Sequence, residues 1–414
     1  MSREHPMVLF AHPTGNQNSR NALRSLVENN MLASFWTTIC WDENSRWNRV
    51  LPENISGRLN RRSFPEAPAA RIHTVPAREA LRQLLLSLGL KNAIGVSEKP
   101  YSVIGVYRHF DKQVSRWLKK NDVDAVYAFE GAALNTFRAA KEKGIPTIYE
   151  LPSSYWYWNQ RLLKEEMNRS PEYAGLLNTL CDVESHLKWK DEELALADHV
   201  IVPSSHVRLT LTGAVEDDRI HVVNYGAPHT ERTHPEETNT TSPLRVLYVG
   251  ALQQRKGIGY LLQAIEVSGL NLQVTLVGMR DATNPKVDEA CLRYRWFESL
   301  PHDKILKLMS ESDILVHPSL SEGCSLVVLE ALANNLPVIV TPNSGTLEFV
   351  RNGMEGFVVP VCDAKAIAGC LVQLDQDRKL LKNMALQAGL TARMNDWMNY
   401  RAKWANAVKA AICK

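Results

Sequence analysis

Glu322 and Glu330 stand eight residues apart in Ser321-Glu-Gly-Cys-Ser-Leu-Val-Val-Leu-Glu-Ala-Leu-Ala-Asn-Asn-Leu-Pro-Val-Ile-Val-Thr341, which reads as a loop, a short helix and a buried strand. Ser325 is a capping residue type, so the amides of Leu326, Val327 and Val328 would open the helix without partners and could seat a phosphate. Glu330 lies among Val327, Val328, Leu329, Ala331, Leu332 and Ala333. A carboxylate in such company is costly to desolvate unless something donates hydrogen bonds to it, and a ligand's hydroxyls could do so. At about 1.5 Å per helical residue, the two carboxylates could flank one phosphate site and hold different parts of a polyhydroxylated phosphate ester.

A second set of charges lies upstream. Leu244-Arg-Val-Leu-Tyr-Val-Gly250 reads as a buried strand ending in glycine, followed by Ala251-Leu-Gln-Gln-Arg-Lys-Gly257 and a helix with Ile258, Leu261, Leu262 and Ile265 on one face. Arg255 and Lys256 therefore fall beside a helix start, where two cations and free amides could grip a diphosphate. The alternative is a solvated surface pair. Cys324 has no sequence signature of an activating base, so its backbone matters more than its sulfur.

These segments need a scaffold, and alternating strands and helices supply one: two open parallel sheets, each covered on both faces. A chain of 414 residues also exceeds what one core supports. Strands are expected at Met7–Ala11, Leu32–Trp41, Asp124–Phe129, Pro146–Leu151 and His199–Pro203, with helices at 135–143 and 182–197. The polar stretch 228–243 reads as a linker. The division is then 1–227 for a first domain, 228–243 for the linker, 244–385 for a second domain and 386–414 for a closing helix, with helices at 366–374, 378–390 and 391–412. Ligands of open parallel sheets collect at strand carboxyl ends, which nominates His12, Gly15, Asn16, Glu130 and Glu150 on the first domain. Gly15 has the clearest case, since a backbone in close approach needs a residue without Cβ.

Composition narrows the class. Net charge is +3, and the seven cysteines are scattered without C-x-x-C spacing, which argues for reduced thiols and against a disulfide frame or zinc site. No apolar run nears the roughly 18 residues of a membrane span, and no signal-peptide core follows Met1, so a cytoplasmic protein is expected, with peripheral contact at the inner membrane face. The acceptor motifs for glycosylation at Asn54 and Asn239 are then chance matches. Neither a basic face nor a recognisable module suggests nucleic acid. Residues 46–82 hold eight arginines, three glutamates and no lysine or aspartate. Arg58, Arg61, Arg62, Arg78 and Arg82 suit an anionic acceptor or membrane surface, or else a solvated face. Tyr155-Trp-Tyr-Trp158 could stack on a sugar, enter a lipid interface or fill a core.

In the order and spacing of these segments the chain resembles the retaining glycosyltransferases of family 4, with GT-B architecture. The matching stretches are Val249-Gly250 with Arg255-Lys256-Gly257, Leu276-Val-Gly278, Ser312 to Ser319, the Glu322/Glu330 pair, Pro337 to Thr341, and Gly345 to Val350 leading to Gly356–Pro360. The first half matches through Gly15, Asp124–Phe129, Gly144–Tyr149 and Glu193–Ser204. The resemblance implies a nucleotide diphosphate sugar, a UDP-sugar above all, as co-substrate and a hydroxyl acceptor, anionic or lipid-linked, with no metal and no further cofactor. It implies that Glu330 binds the ribose, Glu322 the donor sugar, and Arg255 with Lys256 the diphosphate. Gly250, Gly323, Cys324, Ser325 and Leu326 complete the donor site. Departure of the nucleotide builds charge on its β-phosphate, which cations and a helix start would stabilise. No candidate nucleophile is evident. The chain departs from the family twice: Pro152 stands where many relatives have a histidine beside the transferred sugar, and Ala251 where an arginine often follows the glycine. Glu150 or Glu130 could take part of that histidine's role. A transferase acting on a soluble sugar phosphate and a catalytically silent nucleotide-sugar binder remain alternatives.

Overall fold

Runs of three to six residues dominated by apolar side chains make strands here because both faces of each sheet are covered by helices. The computed structural model describes residues 5–42, 59–60, 62–90, 94, 99–177, 183–230, 242–280 and 283–412. Among these, the first sheet holds β1 (Val8–Ala11), β2 (Leu32–Thr37), β3 (Ile72–Thr74), β4 (Ala125–Phe129), β5 (Thr147–Glu150), β6 (His199–Val202) and β7 (Ile220–Val222). Its order is β3-β2-β1-β4-β5-β6-β7, every pair parallel. The second holds β8 (Arg245–Val249), β9 (Gln273–Val277), β10 (Arg295–Phe297), β11 (Ile314–His317), β12 (Val338–Val340) and β13 (Gly356–Val358) in the order β10-β9-β8-β11-β12-β13, again all parallel. Chain order reverses between β1 and β4 and between β8 and β11. Those two switch points open the crevices where ligands of such sheets bind.

Several expected bounds shift. β2 ends at Thr37 instead of Trp41, whose amide donates at 2.9 Å to the Arg62 carbonyl, outside the sheet. Three-residue β3 lies inside the arginine-rich stretch, where no strand was expected. The helix begun at Arg378 continues to Met394, and the next, Trp397–Ile412, starts after Asn395-Asp396, whose Asp396 carboxylate caps the Asn399 amide at 2.8 Å. Of the linker, residues 231–241 lie outside the described residues.

Trp397–Ile412 packs on the first sheet beside α1 (Gln17–Glu28). Trp404 is fully buried against the rings of Phe10 and Tyr127, and Ser25 Oγ donates to the Arg401 carbonyl at 2.7 Å. A second crossing was not legible in the sequence. The helix Trp156–Arg169 and the turn Pro171–Leu176, reached from the end of β5, bury Tyr173 and Leu176 in the second domain's core beside Tyr248, Leu252 and Leu261. Fully buried Glu166 on that helix accepts from Gln254 Nε2 at 2.7 Å and Tyr260 Oη at 2.8 Å. One arm of the first half thus braces the second.

Candidate active site

At the β8/β11 switch point β8 ends at Val249, and Gly250 continues the edge by donating its amide to the Val277 carbonyl at 2.9 Å. The short helical turn Gln254–Lys256 then brings Arg255 and Lys256 against the loop that follows β11. There Glu322 Oε1 pairs with Lys256 Nζ, accepts from Ser319 Oγ at 3.0 Å and lies 3.6 Å from Arg255. Arg255 also donates to the Ser321 carbonyl at 2.7 Å. Burial alone would raise the Glu322 carboxyl, but Lys256 and then Arg255 outweigh it and hold it down at about 2. The two cations and Glu322, read from sequence as separate grips, form one preorganised cluster.

The helix Leu326–Ala333 opens next to it. Ser325 occupies the N-cap position without a capping side-chain bond, because its Oγ meets His317 Nε2 at 3.0 Å. Of the three amides expected to open the helix free, one is spent, since Val328 donates to the Ser325 carbonyl at 3.1 Å, and the Ser325 amide donates to the Ser344 carbonyl at 3.1 Å. The amides of Gly323, Cys324, Leu326 and Val327 are without a partner among the described residues. Burial pushes the Cys324 thiol far above its ordinary range, so its sulfur is a poor nucleophile. Burial holds His317 down at about 4, so the imidazole beside Glu322 is neutral. Glu330 sits on the same helix, mostly shielded, with His302 Nε2 3.9 Å away as its nearest charge partner, and burial raises its carboxyl. A shielded carboxylate with so little to hold it is suited to a ligand's hydroxyls.

The nominated first-domain residues serve varied ends. Asn16 caps α1 in a reciprocal box with Ser19, and a Cβ on Gly15 would lie 2.6 Å from the Phe64 ring, so both have local structural roles. His12 is fully buried, burial holds it at about 4, and its Nε2 lacks a hydrogen-bond partner. Glu130 pairs with Lys190 at 3.3 Å. Glu150, 4 % exposed at the end of β5, accepts from Asn18 Nδ2 at 2.8 Å while its Oε2 has no hydrogen-bond partner, and burial lifts it to about 7. Its neighbour Pro152 turns its carbonyl to Gly323: a Cβ there would lie 1.8 Å from that oxygen.

The arginine-rich stretch turns inward where it is described. Arg62 and Arg82 bind buried Glu79 at 3.1 and 2.7 Å, and Arg78 donates to the Gly105 carbonyl at 3.2 Å. Arg58 and Arg61 lie outside the described residues. Tyr155 and Trp156 both donate to Asp191, at 2.7 and 2.6 Å, while Tyr157 is exposed. Sequence reasoning missed Ser154 and Ser204, which meet the Glu322 loop from the first domain, and His206, which meets Ser154; for Ser204 and His206 the Ser204-Ser-His helix start was the one sequence signal. Among the described residues, no group of three or more His, Cys, Asp or Glu side chains could hold a metal ion, and no helix is long and apolar enough to cross a membrane.

Residues 230–389 match the family of glycosyl transferases group 1. The amylovoran biosynthesis glycosyltransferase AmsK of Erwinia amylovora is 29 % identical over 177 residues, 38 % of this chain and 43 % of that protein. The capsular polysaccharide biosynthesis glycosyltransferase CapM of Staphylococcus aureus is 32 % identical over 143 residues, 32 % of this chain and 37 % of that one. The chain thus spans less than half the length of these curated relatives. Across nearly the whole chain, the structure of Anabaena HepE in complex with UDP and glucose superposes with a TM-score of 0.64 at 15 % identity, covering 98 % of this chain and 100 % of that one. The chain therefore has the GT-B fold, and its second domain is similar to the glycosyl transferases of group 1.

Proposed function

We propose that this chain is a retaining, metal-independent glycosyltransferase of family 4 that moves a sugar from a UDP-sugar to an acceptor hydroxyl. The observation that carries the reading is the Arg255–Lys256–Glu322 cluster beside unpartnered amides and the Glu330 carboxylate, at the switch point of the second sheet. Arg255 and Lys256 hold the diphosphate and offset the charge that builds on its β-phosphate as the sugar leaves. Glu322, pinned by Lys256, turns toward the donor sugar, and Glu330 accepts from the ribose hydroxyls. Cys324 acts through its backbone amide, and no residue serves as nucleophile. His12, held neutral, and Glu150, raised toward neutrality, stand at the strand ends on the acceptor side. AmsK is named for amylovoran biosynthesis and CapM for capsular polysaccharide biosynthesis, which supports a growing glycan as acceptor; we take that acceptor to be anionic or lipid-linked and met in the cytoplasm at the inner membrane face.

A second reading, a silent nucleotide-sugar binder, is favoured by the Pro152 carbonyl seated on Gly323 where relatives have a histidine. A thermal-shift screen of nucleotide sugars, followed by mass spectrometry of products with and without acceptor, separates the two. The transferase reading expects stabilisation by UDP-sugars and slow donor hydrolysis. Stabilisation without turnover supports the binder, and no response to any nucleotide sugar overturns both.

A further inference from the structure

The loop carrying Glu322 is held from both domains. Within the second, the Glu322 amide donates to the Asn343 carbonyl at 2.9 Å, and its carboxylate is tied to Lys256 and Ser319. Its carbonyl accepts from Ser154 Oγ of the first domain at 3.3 Å, and the next carbonyl, of Gly323, accepts from Ser204 Oγ at 2.5 Å. Ser154 is itself fixed. Ser321 Oγ donates to it at 3.0 Å, and His206 Nε2 lies 3.1 Å away. A hydroxyl has one proton, and a carbonyl can only accept, so Ser154 spends its proton on Glu322 and His206 must present Nε2–H. Burial holds His206 down at about 4, which keeps that imidazole neutral.

Peptide planarity turns these carbonyl contacts into amide directions. In a trans peptide the N–H points opposite to the C=O, so anchoring the Glu322 and Gly323 carbonyls aims the Gly323 and Cys324 amides away from the serines. Those are two of the amides without a partner among the described residues. We propose that Ser154 and Ser204 are positioning residues of the donor site: from the first domain they orient the Gly323 and Cys324 amides toward the donor's distal phosphate and sugar, so the site is complete only when the domains touch. The proposal rests on the nucleotide-sugar reading and deepens it. Packing agrees, since Gly323 is wedged between Pro152 of the first domain and Gly345 of the second, whose Cβ, if present, would lie 2.0 Å from the Gly323 carbonyl oxygen.

The test compares Ser154→Ala, Ser154→Ala with Ser204→Ala, and Gly323→Ala with the native chain. It measures kcat and KM for donor hydrolysis, and UDP and UMP affinity by calorimetry. UMP lacks the distal phosphate. We expect kcat to fall about tenfold or more in the double variant, UDP affinity to drop several-fold, and UMP affinity to stay native. Gly323→Ala should reproduce that pattern with every hydroxyl retained, because its methyl drives Pro152 away. Ser204 also caps a helix through Val207, so if the double variant fails to fold, Ser154→Ala alone decides. Native kcat in these variants, or equal loss of UDP and UMP affinity, overturns the proposal. A native chain that binds neither nucleotide overturns the functional reading first, and the inference with it.

Discussion

Glu150, buried, and Glu322, half-buried, are carboxylates at the carboxyl ends of parallel sheets, and the protein treats them oppositely. Glu322 has Lys256 and Arg255 within reach and is held at about 2, whereas Glu150 has an asparagine on one oxygen, nothing on the other, and is lifted to about 7. At the switch point of its sheet the second domain holds paired charge, whereas at the strand ends of the first His12 is kept neutral and Glu150 is moved toward neutrality. That division suits a donor whose leaving group is anionic and an acceptor that must approach as a neutral hydroxyl.

The largest break in this comparison should come from Lys256→Ala. It removes a cation from the leaving group and strands Glu322, so turnover should fall about 100-fold or more in donor-hydrolysis kinetics. Turnover near native would mean the cluster is structural. Glu330→Gln comes next. Its charge serves the ligand, so UDP affinity should weaken about tenfold, with melting temperature nearly unchanged. Unchanged affinity with a large loss of thermal stability would make Glu330 a structural carboxylate.

The two carboxylates also predict pH effects of opposite sign. Glu150 rises from an ordinary 4.5 to about 7 on folding, so its stabilising contribution is complete below 4.5 and lost as pH rises through 7. Glu322 drops from 4.5 to about 2, so its contribution is complete above 4.5 and lost as pH falls toward 2. Glu150→Gln, which mimics the protonated acid, should therefore melt a few degrees above the native chain at pH 8 and level with it at pH 4. Equal melting at both values would refute a neutral Glu150. The smallest effect belongs to Arg78→Ala: with one carbonyl partner, it should shift stability by under about 1 kcal/mol in chemical denaturation and leave UDP affinity alone.

Where sequence and structure agree, the signals were local. Gly250, the Arg255-Lys256 turn and the helix after Ser325 announce themselves within a few residues, through strand ends, glycine and apolar periodicity. What stayed hidden depends on distant partners. Nothing in the sequence near Glu166 says that it will meet Gln254 and Tyr260 in the other domain, and nothing near Arg62 says that Glu79, already the helical neighbour of Arg82, will draw it inward as well. Glu193 is a further case. Fully buried, it receives the amides of Gly131 and Ala133 and the Trp189 indole, so it ties down the loop after β4 from about sixty residues away. Three-residue strands such as β3 are too short to carry a pattern at all. The Lys256–Glu322 pairing likewise joins two motifs that were visible separately, and only folding reveals that one holds the other.

The most direct test is calorimetric titration of UDP into three forms of the chain: native, Lys256→Ala and Glu150→Gln. The charge-holding second domain predicts that UDP binds the native chain, loses at least about tenfold in affinity with Lys256→Ala, and keeps native affinity with Glu150→Gln. UDP affinity that survives Lys256→Ala, or collapses with Glu150→Gln, would contradict the assignment of the diphosphate to the Arg255–Lys256 cluster.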